Sequence, residues 1–241
     1  MLLRAAGPRW LTRMLSAAVL VLPASSLTAQ GASNDTRPTV AVLYFTNSAL
    51  VDNASYAPLS KGMAEMLITE LSQNTGIRVV ERDRIQSLIE EQNLQNSDRV
   101  DKETAIRMGK TLGARHMLMG TFVIDMKQNI RIDLRAVNTE TSAIEYTEKV
   151  EGKADQFLSL VMQLGAKVNQ GLKLPALKTA SATTPAAKNP NQFRAIMAMS
   201  RAIEAEDRKD IPKAISEYKS AIALNPDMER AKVRLASIEK P

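Results

Sequence analysis

His116 is the only histidine in the chain, and histidine is the side chain most readily turned to acid–base work or metal binding near neutral pH. It stands beside Arg115 just before an apolar run, with no acid at ligand spacing in the sequence around it. That setting marks a structural or exposed residue. Gly109-Lys110-Thr111 imitates the end of a phosphate-binding loop. Such a loop turns backbone amides inward with glycines, but the position five before Gly109 is Thr104 and the segment falls inside a helical pattern.

Other charged and soft residues yield as little chemistry. Glu81, Arg82, Asp83 and Arg84 alternate in sign where a strand runs into a helix; they could form a partner patch, but local pairing and charge matching at the helix N-terminus account for them. Glu90 and Glu91 are helix neighbours whose side chains diverge, so they cannot face each other as an acid–base pair. Met63 with Met66 reads as core filling rather than a soft metal site. Asn34 and Asn53 head N-x-S/T sequons and are assigned no role. Cysteine is absent, which excludes disulfides, thiol catalysis, cysteine-based zinc sites and lipid attachment at an N-terminal cysteine. No nucleophile, base and orienter converge. The expectation is a protein that is not an enzyme and carries no metal or cofactor.

Charge narrows the partners. The formal net charge is +6 over the full chain, but Arg4, Arg9 and Arg13 lie in an N-terminal segment without acids, and removing that segment leaves +3. Residues 38–174 hold 16 basic and 17 acidic side chains. Nucleic-acid binding needs a concentrated basic face that releases phosphate counterions, so no nucleic-acid partner is expected.

The N-terminal segment itself has the order of a secretory signal: arginines, an apolar run from Met14 to Leu22, then Pro23 and small residues. A membrane-spanning helix needs about 20 apolar residues, so the run is too short to anchor the chain and cleavage is expected. The preferred cut lies between Ala29 and Gln30, despite the bulky Leu27; a cut after Ser26 is the alternative. The mature chain is expected to have no membrane-spanning segment and to reside in the periplasm, with outer-membrane association an open option.

Residues 38–174 read as one α/β domain of about 137 residues, enough to bury its own core. PTVAVLYFT (38–46) is a continuous apolar, β-branched run and predicts a central strand buried on both faces. Leu59, Met63, Met66, Leu67 and Leu71 form a helical stripe stopped by Asn74 and Gly76. A short strand at 77–80 follows, then helices marked by Ile85, Leu88, Ile89 and by Ala105, Met108, Leu112, the latter ending at Gly113. His116 to Asp125 predicts a strand; Ile130, Ile132, Leu134 and Ala136 alternate with polar residues as a half-buried strand. Period two resumes at Ile144, Tyr146 and Val150, giving an antiparallel meander. Phe157, Val161, Leu164 and Val168 mark a closing helix.

Residues 175–190 are a Pro-, Ala- and Thr-rich linker, which would let the tail at 191–241 move independently. In that tail Ala214, Tyr218, Ala221 and Pro226 sit at the spacing of the second helix of a tetratricopeptide repeat. The preceding helix departs from the pattern, because Ala198, Arg201, Ala202 and Ala205 replace large residues or glycine. One repeat and half of another rarely bury enough surface alone. The tail should therefore dock on the α/β domain, self-associate or bind elsewhere.

Five segments together resemble a known family: VAVLYFTN (40–47), the helix containing Gly62-Met63-Ala64-Glu65, VVERDRIQSLIEEQNL (79–94), LGARHMLMGTFV (112–123) and IRIDLRAVNTETSAI (130–144). Over residues 38–172 the chain is similar to the CsgG family of curli production assembly and transport proteins. The resemblance implies a three-layer α/β domain with a mixed sheet, related to the N-terminal domain of the Tol translocation protein, here followed by the small all-α, tetratricopeptide-like tail. It also implies non-catalytic work as an oligomeric channel or an accessory factor of the outer membrane. Channel-forming members insert an amphipathic hairpin before the strand beginning near Asn129 and another after the strand ending near Val150; here each gap holds only a few residues, and a barrel strand needs about 9–11. The expected role is thus an assembly or accessory factor that contacts other envelope proteins, and itself through self-association. The alternative is a subunit of a curli-like secretion complex whose pore another protein supplies.

Overall fold

A computed structural model of the chain describes residues 35–49, 52–94, 100–176 and 189–239. The proposed signal, its cut at Ala29 and Gln30, the sequon at Asn34 and most of the linker lie outside the described residues. From Thr36 onward the described residues cluster as one unit.

The apolar run at 38–46 forms β1 (Thr39–Val42), buried at every position, and then β2 (Thr46–Asn47). It does not continue as one strand. Val42 pairs with Leu118 and Thr46 with Thr121, so four steps on this side span three on the partner. The extra residue turns Phe45 into the core and Tyr44 toward the later helices. Gly120 is required at this point: a Cβ there would collide with the Phe45 ring and the Asp133 carbonyl.

A one-turn helix α1 (Asn53–Tyr56) precedes α2 (Leu59–Ser72). Then come β3 (Arg78–Val79), α3 (Arg82–Glu91) and α4 (Lys102–Leu112). Asp101 caps α4 by accepting from the Thr104 amide at 2.7 Å, and Gly113 ends it in the left-handed conformation, φ 63°, which costs glycine little. Gly109, in the phosphate-loop look-alike, lies inside α4 against Met117 and Thr139.

The meander is β4 (His116–Ile124), β5 (Asn129–Asn138) and β6 (Ile144–Lys153), antiparallel throughout. The sheet order is β3-β1-β4-β5-β6, with β2 also on β4; β1 is parallel to both its neighbours. Ile130, Ile132, Leu134 and Ala136 face Val150, Leu118 and Phe122 on one side. That side is covered by α2 and by α5 (Phe157–Gly171), which a short 3-10 turn at Ala154–Gln156 joins to β6. On the other side α4 covers only the Met117 end.

Three further helices follow: α6 (Gln192–Asp207), α7 (Ile211–Leu224) and α8 (Glu229–Ile238). Despite the flexible composition of the linker, α6 is seated directly on α2, with Gly62 so close to Ser200 that a Cβ has no room. On its opposite flank α6 packs on α7. The alanines that spoil its repeat pattern thus have a packing reason: Ala198, Ala202 and Ala205 are buried where a second helix approaches.

Candidate interaction surface

Where the tail meets the α/β domain, eight charges interlock. Arg82 opens α3, and the extended backbone of Glu81 before it aims its guanidinium inward, to 3% exposure. It donates to Asp207 of α6 at 2.7 Å, to Asp83 at 2.9 Å and to the Tyr44 hydroxyl at 3.2 Å; Glu65 of α2 lies 3.5 Å from Nε. Asp207 also receives Lys61 at 2.6 Å. Glu65, with its side chain 2% exposed, pairs with Arg230 of α8, while its Oε2 accepts no hydrogen bond. Asp83 accepts from Arg234 of α8 at 2.8 Å. Arg234 reaches on to Glu206, which accepts from the Tyr218 hydroxyl at 2.8 Å.

Four cations and four carboxylates therefore alternate across the junction, and burial makes Arg82, Glu65 and Asp207 depend on their partners. Burial pushes the Asp83 carboxyl up, but Arg234 and Arg82 beside it hold it below the ordinary carboxylate range. Burial raises the Tyr44 and Tyr218 phenols. The sequence reading explained Glu81 to Arg84 by local pairing. That is true only of Arg82 with Asp83; the other strong partners of this segment are Asp207 and Arg234, over 120 residues away. No local pattern signals them. Two of the family-like segments nevertheless converge here, since Gly62 and Glu65 come from one and Arg82 from the next.

On another side of the same junction a groove of about 620 Å³ runs between α2, α5, α6 and the turn joining α7 to α8. Met66, Met162, Met199 and Met228 line it, with Leu158 and Ile196. Of the methionine pair singled out in the sequence, Met63 is in the core as expected and Met66 reaches this groove. Glu70 stands at the groove, its carboxyl raised by burial. Of the repeat-signature residues, Ala214, Tyr218 and Ala221 are buried together, and Pro226 borders the groove.

A second depression, about 730 Å³, lies over the uncovered half of the sheet, where Arg131, Asp133, Arg135, Thr147 and Lys149 stand in rows. Its charges largely satisfy one another: Arg131 donates to Asp133 at 2.7 and 2.8 Å. His116 is buried and bonded through Nδ1 to Glu145, which also accepts from Asn138 at 3.1 Å. The sequence showed no acid near His116; the β5–β6 register brings one. The trio closes the end of the sheet, and among the described residues no three acids, histidines or cysteines gather as metal ligands. The Glu90 carboxylate is occupied by Gln86, at 2.6 Å.

Fold and surface together define an α/β domain with a docked helical tail, joined through a charged junction and flanked by an apolar groove. The chain belongs to the CsgG family: the sequence model of the curli production assembly/transport component CsgG matches residues 23–173. No curated protein matches it. Among solved structures, it is similar to the LpoB C-terminal domain from Escherichia coli, at 13% identity over 48% of this chain and 82% of that one, TM-score 0.36. It is similar also to the PelC dodecamer from Paraburkholderia phytofirmans, at 14% identity over 58% and 90%, TM-score 0.37. Lipoprotein GNA1162 from Neisseria meningitidis gives 14% over 55% and 94%, TM-score 0.39. Among the described residues no helix is long and apolar enough to cross a membrane.

Proposed function

We propose that this protein is exported through a signal cleaved between Ala29 and Gln30 and acts in the periplasm, or in association with the outer membrane, as a non-enzymatic assembly or accessory factor of the bacterial envelope. Family membership over residues 23–173 carries this reading. It works through protein contacts, self-association among them, with the tail adding a tetratricopeptide-like helical docking surface whose signature residues Ala214, Tyr218, Ala221 and Pro226 hold its helices together.

The two connections that carry hairpins in channel-forming members support a role without a pore. Between β4 and β5 only Asp125 to Gln128 intervene, and Asp125 closes the turn by accepting from the Lys127 and Asn129 amides at 2.8 and 2.9 Å. After β6 the chain enters the 3-10 turn at once. Neither connection has the roughly 9–11 residues that each barrel strand requires.

A second reading, a subunit of a secretion complex whose pore is another protein, is favoured by the family's description as an assembly/transport component. Photocrosslinking from exposed tail positions in intact cells, followed by mass spectrometry, separates the two. An accessory factor yields discrete adducts with envelope proteins and is recovered without detergent. Recovery only in a detergent-extracted ring favours the secretion complex, and adducts with cytosolic proteins alone overturn both.

A further inference from the structure

We propose that the methionine-lined groove at the junction is the docking site for a basic amphipathic helix of a partner protein. The proposal deepens the protein-contact reading above and rests on it. Every lining element is helical or a turn between helices, so no strand edge is offered for a peptide to extend the sheet. A helix laying its apolar face into the groove is the mode that such a helical, apolar lining fits.

Methionine suits that task, because its unbranched, polarisable side chain adapts to the shape of what enters. Met66, Met162 and Met228 are only partly buried although they face a concave apolar space.

Among the described residues the charge around it is one-sided. Arg230 is the cation at the groove, and it is committed to Glu65 and Glu81. Glu70 is half-buried, accepts only from Gln73 at 3.1 Å, and has no cation within ion-pair distance among the described residues; Asp227 is likewise without one. Glu229 is paired with exposed Lys232. A carboxylate held partly out of water without a cation is costly, and a lysine or arginine flanking the partner's apolar stripe supplies what Glu70 lacks.

The test uses the full chain and fluorescence anisotropy with three probes: an amphipathic leucine–lysine helix, its leucine–glutamate counterpart, and oleate as a competitor. The basic helix binds, the acidic one does not, and salt weakens binding. Glu70→Gln with Asp227→Asn lowers affinity about tenfold, and Met162→Asp abolishes binding with the circular dichroism of the fold unchanged. Equal binding of both helices, an affinity indifferent to the carboxylate variants, displacement of the peptide by oleate, or a dimer of the protein that Met162→Asp dissolves would each overturn the proposal. Any of these in a protein still recovered from the envelope leaves the accessory-factor reading standing, so the two failures are told apart.

Discussion

Replacing Arg82 with methionine keeps the volume and the apolar stem but removes the fork that ties α3 to the tail. Glu65 and Asp207 would then remain with side chains 2% and 5% exposed. Removing one member of a buried ion pair costs about 3–5 kcal/mol, because the remaining charge is stranded. Here each carboxylate keeps a second cation, Arg230 or Lys61, so we expect about 3 kcal/mol. Lys61→Met, which removes a partly exposed amine from the same Asp207, should cost at most about 1 kcal/mol. Urea denaturation followed by circular dichroism reads both values. Hydrogen exchange locates the effect: amides of α6 and α8 should lose protection in Arg82→Met while β4 to β6 keep theirs. Adding Asp207→Leu to Arg82→Met should recover part of the loss, with a coupling of roughly 1–3 kcal/mol. The reasoning is refuted if Arg82→Met costs under about 1 kcal/mol, if Lys61→Met matches it, or if the tail stays as protected as before.

The junction also depends on closeness. Gly62→Leu should lift α6 from α2 and expose the tail to limited proteolysis, with an overpacking cost of about 1–3 kcal/mol; an unchanged digestion pattern counts against the packing described. Tyr218→Phe removes the hydroxyl that Glu206 accepts and leaves Arg234 as that carboxylate's partner, which should lower the melting temperature by an amount equivalent to about 1 kcal/mol. A third prediction concerns acid. The Tyr146 hydroxyl, at 2.6 Å, and Lys167, at 3.0 Å, hold the Glu148 carboxyl down to about 2. Its folded value lies below its unfolded one, so the stability it contributes is present above about 4.5 and is lost as pH falls toward 2. Against the wild type, Glu148→Gln should therefore be less stable at neutral pH, with the difference shrinking as pH falls from about 4.5 through 2 in acid titrations monitored by circular dichroism. A difference at pH 2 as large as that at neutral pH would contradict the assignment.

What could be read from the residues beforehand was what local periodicity encodes. Alternation from Ile130 to Ala136, the stripe from Leu59 to Leu71 and the stop at Gly113 each record which side of an element is buried, and those elements are where the spacing put them. The break between β1 and β2 was hidden because burial is continuous through it; only the register against Leu118 and Thr121 creates it. Partners distant in sequence were hidden for a different reason. Arg82 with Asp207, His116 with Glu145 and Asn74 with Pro175 meet through the topology, and no spacing rule joins them. The alanines of α6 were legible as a departure from a repeat, but not as the signature of a helix pressed from two sides. The groove was invisible in sequence, since its methionines come from four separate segments.

Export with removal of the first 29 residues underlies the whole functional account, and its most direct test is the N-terminus of the protein recovered by osmotic shock. The account predicts a periplasmic chain beginning at Gln30, released without detergent. A chain still beginning at Met1 and confined to the cytosol would contradict it.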